Sequence, residues 1–441
     1  MLVVNISELY TSSNIFFKII IILKLLYNDY LIYLILYSLY LGGFMYISEH
    51  KYLYVQPDIK VYGGPSRYIQ GPGVLKYFGD MVKNYGVSKV LVFADKIVMD
   101  VIERHGLFNS LNDAGVEYVK ELFGVTPCGP ETCDEEISRL TAIAKESGCN
   151  GVVGVGGGKA IDTAKDVAYK LSSKLFIVPT IASTDAPCSS VSVIYTCDHK
   201  FKEYRFYPRA ADAVVVDTKV IAETPPRFLA CGIGDALGKY TEVPSVLRVG
   251  KPNLLIKPLH GKAPMLAVAV QKLMVETIFN YSEEAIESVE KKVVTPALEA
   301  VVEATTLLSQ IAFECGGLAA AHSIYNGFTV LEEKIRAYHG ELVFFGMLTE
   351  MLLDGYTHSE IIEMMKFGHR IGLPINLSEI GLEDVTEEEL LHVAQKALAP
   401  GETIHNKYYS IQPEVLAKAF RVVDAIGREV AKTVPRRTFK R

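Results

Sequence analysis

The chain has 441 residues, 49% hydrophobic and 22% charged, with 45 basic and 51 acidic side chains and a formal net charge of −6. That length exceeds one ordinary hydrophobic core, so two domains are expected, and the intermixed charges offer no electrostatic footprint for nucleic acid. The seven cysteines, Cys128, Cys133, Cys149, Cys188, Cys197, Cys231 and Cys315, include no C-x-x-C pair and read as reduced thiols of a cytoplasmic protein, not as a disulfide framework or a zinc ribbon.

The first fifty residues do not match the rest. From Ile15 to Ile47 only Lys18, Lys24 and Asp29 are charged, and Tyr30 to Ser48 carries no charge at all. By length this could span a bilayer. Positive residues precede the apolar run, so an anchor here would send the following chain across the membrane. A signal peptide fits less well, because Gly42-Gly43-Phe44-Met45 lacks a small-x-small cleavage site. The low-complexity composition favours an extension that is not native over residues 1–50, with Met45 as the true start and an anchor as the alternative.

A regular alternation begins after about residue 60. Lys89–Ala94, Val116–Phe123, Gly151–Val155 and Leu175–Val178 are short apolar runs, and Ile97–His105 and Cys133–Ser147 between them have helical periodicity. Such alternation predicts a parallel sheet in an α/β dinucleotide-binding domain over residues 51–223, with ligands at the carboxyl ends of the strands. At its strand end Asp95 suits an adenosine ribose and disfavours a 2′-phosphate, although Lys96 beside it weakens that inference and a solvated loop carboxylate is the alternative.

The run Gly154-Val155-Gly156-Gly157-Gly158-Lys159 follows a strand and opens a helix over Ala160–Leu171, which places bare amides where a pyrophosphate binds. Asp162, in the first turn, either caps that helix or faces the nicotinamide side. Beyond the next strand, Thr180 to Ser190 is dense in hydroxyls and contains Asp185. Read alone it is a helix-capping loop; read beside the glycine turn it can hold a cofactor amide and a substrate hydroxyl.

From Pro225 the strand signals stop. Thr295–Cys315, Gly340–Leu353 and His358–Arg370 carry helical spacing, which predicts an all-α domain over residues 224–441 with its boundary near Glu223-Thr224-Pro225-Pro226. It holds Asp235, in a turn-like Gly232-Ile233-Gly234-Asp235, and His322 and His339, seventeen residues apart. A carboxylate and two imidazoles make a three-ligand divalent-metal site with one open position for a substrate oxygen. With ten histidines in the chain, two buried, hydrogen-bonded helix histidines are the better explanation of the pair until the surrounding motifs are considered.

Those motifs, GVGGGKAIDTAK, PTIASTDAPCSSVSVIY, GIGDALGKYTE, AAAHSIYNGF and YHGELVFFG, occur in this order from residue 154 onward. Together they resemble the glycerol dehydrogenase branch of the iron-containing, metal-dependent alcohol dehydrogenase family, over roughly Lys60 to the C-terminus. The resemblance implies the family's dehydroquinate synthase-like architecture, an α/β domain followed by an all-α domain with the active site between them. It implies that Asp235, His322 and His339 bind zinc, with Fe2+ the alternative, and that Asp185 contacts glycerol. Asp95, Gly156, Gly157, Gly158, Thr180, Ser183, Ser189, Val191 (through its backbone) and Tyr195 would line an NAD site, with Lys159 and Asp162 as neighbours of the cofactor. Tyr325 stands where many relatives carry a further histidine, which fits three-ligand zinc better than four-ligand iron.

The implied activity is oxidation of glycerol to dihydroxyacetone, with hydride passing to NAD. Another diol or glycerol 1-phosphate is an alternative substrate, and a membrane-tethered pseudoenzyme is the non-enzyme alternative. A small polyol is the expected partner, and a homo-oligomer the expected assembly. The segment 244–266 departs from the family pattern.

Overall fold

Short runs of β-branched and aromatic residues build the sheet that the sequence predicts. The computed structural model describes residues 58–256 and 259–439; the apolar stretch 15–48, and the extension and anchor readings attached to it, lie outside the described residues. The sheet strands are β1 (Tyr68–Gly71), β2 (Lys89–Ala94), β3 (Glu117–Leu122), β4 (Gly151–Gly156), β5 (Lys174–Pro179) and β8 (Ala213–Asp217). All pair in parallel, in the order β1-β8-β5-β4-β2-β3. β6 (Val191–Tyr195) and β7 (Phe201–Phe206) form a separate antiparallel hairpin.

Successive strand residues point to opposite faces, and in the central strands both faces are buried. Val90, Val92, Val153, Val155, Phe176, Val178, Ala213 and Val215 enter one core. Leu91, Phe93, Val152, Leu175, Ile177, Val214 and Val216 enter the other. This two-sided burial is why these strands read as continuous apolar runs rather than as alternating ones.

The helices of this half are α1 (Phe78–Asn84), α2 (Lys96–Arg104), α3 (Leu107–Ala114), α4 (Asp134–Glu146), α5 (Gly158–Leu171) and α6 (Thr218–Ala222). Chain order takes β2 outward to β3 and then across to β4 on the other side of β2. That reversal opens a crevice at the strands' carboxyl ends.

Beyond Asp217 the described residues form helices and no further strand. They are α7 (Pro226–Val249), α8 (Met265–Glu290), α9 (Pro296–Glu303), α10 (Ala320–Phe328), α11 (His339–Leu353), α12 (His358–Arg370), α13 (Glu387–Ala397) and α14 (Pro413–Ala431). Pro226 stands in the first turn of α7, where its missing N–H and fixed φ suit a helix start. The expected helix over Thr295–Cys315 is interrupted: after α9 it passes through two π-helical turns, Ala304–Leu308 and Ile311–Gly316. Among the described residues no helix is long and apolar enough to cross a membrane.

Two expectations need correction. The Gly232–Asp235 segment is not a turn but the middle of α7. Nor are all the cysteines free: Cys128 and Cys197, 69 residues apart with Cα atoms 4.3 Å from one another, form a disulfide. The fold brings the loop before α4 against the tip of the β6–β7 hairpin, a tertiary pairing that no local spacing encodes. Cys133, Cys149, Cys188, Cys231 and Cys315 remain thiols.

Candidate active site and metal centre

The glycines around Asp235 serve close packing. A Cβ on Gly232 would run into the carbonyl oxygen of Ala182, and one on Gly234 into that of Gly340. Without those side chains α7 lies directly against the loop after β5 and the start of α11, which brings Asp235 toward both. His322 comes from α10, and His339 is the first residue of α11.

The three side chains converge. Asp235 Oδ1 lies 3.2 Å from His322 Nε2 and 3.5 Å from His339 Nε2, and one donor atom from each residue lies within 4.8 Å of the others. Tetrahedral ligands about 2.0–2.1 Å from one zinc ion sit about 3.3 Å apart, so these spacings fit a shared cation. Glu242 supports the arrangement from behind. Its Oε2 lies 2.7 Å from His322 Nδ1, and its Oε1 accepts the backbone N–H groups of Ala319 and His322, each at 3.0 Å. With Nδ1 tied to a carboxylate, Nε2 is the nitrogen presented to a metal.

The local field favours positive charge. Burial would raise the Asp235 carboxyl, but the Lys239 ammonium and the two imidazoles override it and hold the group well below the carboxylate range. For His322 burial acts downward, yet Glu242 and Asp235 outweigh it and push the imidazole up to about 9. Lys239 is buried, with Nζ 2.5 Å from Asp235 Oδ1 and 3.1 Å from Asp185 Oδ2. The same balance, burial against Asp185 and Asp235, brings Lys239 to about 12. Asp185 reaches this cluster from the loop after β5 and accepts a hydrogen bond from Ser309 Oγ at 2.7 Å. Ser309 lies between the two π-helical turns. Tyr325 meets His339 edge-on, with ring centroids 4.2 Å apart.

At the carboxyl end of β4, Gly156 has φ +143°, and the chain enters α5 with no side chain capping its first N–H groups. Thr180 N–H donates to Gly156 O at 3.1 Å and fixes the turn to the end of β5. Lys159 turns to Glu131, 2.7 Å away. Asp95, at the end of β2, caps α2 by accepting the Val98 N–H at 2.9 Å. Ser183 and Tyr195 are half-buried.

Three residues expected at the cofactor have partners inside the protein. Asp162 does not cap α5: it accepts Lys165 Nζ at 2.9 Å and Val193 N–H at 3.0 Å, bolting α5 to β6, and burial pushes its carboxyl up. Lys165 Nζ also donates to Ser189 Oγ at 3.0 Å and to the Val191 carbonyl at 2.7 Å. A buried lysine needs acceptors, and it draws on these three groups.

The sequence matches the model of the iron-containing alcohol dehydrogenases over residues 65–218. It is 44% identical to the glycerol dehydrogenase of Thermotoga maritima over 365 residues, 82% of this chain and 96% of that protein. The chain belongs to the iron-containing alcohol dehydrogenase family. It is therefore an oxidoreductase. Similarity extends to the glycolaldehyde reductase of Halobacterium salinarum, at 39% identity over 370 residues, 84% of this chain and 98% of that one. Among solved structures, the glycerol dehydrogenase of Schizosaccharomyces pombe matches with TM-score 0.79 at 34% identity, covering 86% of this chain and 93% of that chain.

In this iron-containing alcohol dehydrogenase Lys239, Glu242, Ser309 and Lys165 belong to the site without any sequence motif that singles them out. Lys239 and Glu242 follow Asp235 by four and seven residues, the spacing of one helix face. That signal was present but hidden by reading the segment as a turn. Ser309 had no local signal, because π-helical turns break the ordinary period.

Proposed function

We propose that this enzyme catalyses NAD-dependent oxidation of glycerol to dihydroxyacetone and the reverse reduction, with zinc held by Asp235, His322 and His339. The observation that carries the reading is the convergence of these donors on one point beside Asp185. The names of the Thermotoga maritima and Schizosaccharomyces pombe relatives support glycerol as substrate. A divalent cation would supply Lewis acidity toward a substrate hydroxyl, and NAD would accept the hydride.

The chain's own residues bind and orient. Ser309 and Lys239 both engage Asp185 through Oδ2, leaving Oδ1 to accept a hydrogen bond from a second hydroxyl of the polyol. Gly156, Gly157 and Gly158 give a pyrophosphate access to the uncapped start of α5, and Thr180 and Ser183 line its approach. Asp95 favours the unphosphorylated ribose of NAD. Lys239 keeps Asp235 ionised in a buried site and pairs with Asp185 Oδ2 at 3.1 Å.

A second reading, reduction of a small hydroxyaldehyde, is supported by the Halobacterium salinarum relative. A panel decides: NAD reduction with glycerol, 1,2-propanediol and glycerol 1-phosphate, and NADH oxidation with dihydroxyacetone and glycolaldehyde, compared by kcat/KM. Glycerol is expected to exceed its phosphate ester and dihydroxyacetone to exceed glycolaldehyde. A preference for the phosphate ester or for glycolaldehyde refutes the substrate assignment.

A further inference from the structure

The loop before α4, the first turn of α4 and the tip of the β6–β7 hairpin hold three cysteines and an acid that the proposed reaction does not use. Donor atoms of Cys128, Cys133, Cys197 and Glu135 all lie within 4.8 Å of one another. Cys128 Sγ is 3.6 Å from Glu135 Oε2. Cys128 and Cys133 are buried while Glu135 and Cys197 are exposed, so two donors are set in the protein and two face the route by which an ion would enter. Cys133 occupies the N-cap of α4; burial pushes its thiol up despite the backbone N–H groups of Glu136 and Glu135, so its proton leaves as a cation binds. The disulfide between Cys128 and Cys197 engages two of the four donors and leaves a third thiol and a carboxylate crowded beside it.

We propose that, with the Cys128–Cys197 bridge reduced, these four residues bind a divalent cation of the zinc class as a structural site separate from Asp235, His322 and His339. Reduction by a small monothiol is a two-electron exchange: the bridge and two R–SH give two protein thiols and one R–S–S–R. Metal uptake then releases three protons, one from each cysteine sulfur, and the three thiolates and the carboxylate become ligands. Zinc–sulfur bonds of about 2.3 Å place neighbouring donors about 3.8 Å apart, so the cluster needs only small side-chain adjustments. Thiolates select zinc over calcium or magnesium, and four protein donors leave no open position, which marks a structural rather than a catalytic site.

The surroundings give the site a task. Between Cys128 and Cys133, Thr132 Oγ1 donates to Lys159 O at 2.9 Å, its carbonyl accepts Tyr195 N–H at 2.9 Å, and Glu131 binds Lys159 Nζ and His199 Nδ1 at 2.7 and 2.9 Å. A cation there staples the hairpin to the loop that buttresses the glycine turn.

The test uses full-length protein, reduced with excess monothiol, desalted anaerobically, saturated with zinc and dialysed before metal analysis. Wild type should retain two zinc ions per chain, Cys133→Ser and Cys197→Ser one each, and His322→Ala one. Serine is itself a good N-cap, so Cys133→Ser should fold; the exposed Glu135→Gln variant, expected to lower affinity at this site alone, guards against misfolding as the cause. Cobalt in place of zinc should give thiolate-to-metal charge-transfer absorption in wild type and His322→Ala but not in Cys133→Ser. Equal zinc content in wild type and both cysteine variants, at any stoichiometry, or a cobalt protein without thiolate absorption, overturns the proposal and leaves a disulfide alone. A wild type with one zinc ion, kept by His322→Ala and lost by Cys133→Ser, supports this site and refutes instead the metal role of Asp235, His322 and His339.

Discussion

Glu242→Gln removes one charge at almost constant shape and changes which nitrogen of His322 carries its proton. In the native site Oε2 accepts from Nδ1 at 2.7 Å and Oε1 accepts two backbone N–H groups at 3.0 Å. A carboxylate only accepts, so the proton is held on Nδ1; without a cation Nε2 is protonated as well and donates toward Asp235, and a cation takes the place of that second proton on the Nε2 lone pair. Glutamine has one acceptor oxygen. If that oxygen keeps the two backbone donors, the amide NH2 faces Nδ1, the ring proton moves to Nε2, and the ligating lone pair is lost. If the amide flips, two backbone N–H groups lose charge-assisted bonds worth about 1.5–3 kcal/mol each. Either way, zinc affinity should fall about 10–100-fold, or about 1.4–2.8 kcal/mol. The assay is competition with a chromophoric chelator, in a Cys197→Ser background so that a single site reports, with circular dichroism verifying the fold. Unchanged affinity in a folded Glu242→Gln protein would refute this account of His322.

Other expectations follow from the same contacts. Lys239→Met leaves Asp185 and Asp235 buried without their ammonium, and breaking a buried pair from one side costs about 3–5 kcal/mol. Tm in chelator should drop, and zinc should restore more than it adds to wild type; equal zinc increments would contradict the shared-charge argument. Gly234→Ala drives a methyl into the Gly340 carbonyl, an overpacking worth about 1–3 kcal/mol, and should lower both Tm and zinc affinity; loss of Tm alone would show that this glycine does not set the ligand spacing. Asp212 accepts from Leu175 N–H and Lys174 Nζ, each at 2.9 Å, and from Arg209 Nη1 at 2.6 Å. Burial acts upward on its carboxyl, but these partners outweigh it and the group is lowered. Its stabilisation is therefore present above the unfolded carboxyl value of about 3.9 and is lost as pH falls through the lower folded value. The Tm gap between wild type and Asp212→Asn should hold near neutrality and close below about pH 4; a gap that persists in acid would contradict it.

What the sequence disclosed follows from which forces act locally. β2, β4 and β5 were legible because strands buried on both faces are unbroken apolar runs. β1 (Tyr68–Gly71) and the exposed β7 (Phe201–Phe206) carry no such signature. His322 and His339 stood out as chemistry-bearing side chains, but the distance from His339 to Asp235 depends on α7 packing against α11, a contact made by the absence of a side chain at Gly234, as that at Gly232 admits the loop after β5. Those glycines produced the error of a turn, because in sequence a glycine for close approach looks the same as a glycine for a bend. The internal roles of Asp162, Ser189 and Val191 trace to Lys165, whose burial no local pattern announced. The Cys128–Cys197 pairing is tertiary throughout.

The most direct test strips metal from the purified enzyme with chelator, follows glycerol-dependent NAD reduction in metal-free buffer, and then adds zinc back. Activity should vanish on stripping and return with zinc in wild type, and should not return in His322→Ala or Asp235→Asn. Full turnover in metal-free buffer, or zinc-dependent recovery in those variants, would contradict a shared cation at Asp235, His322 and His339.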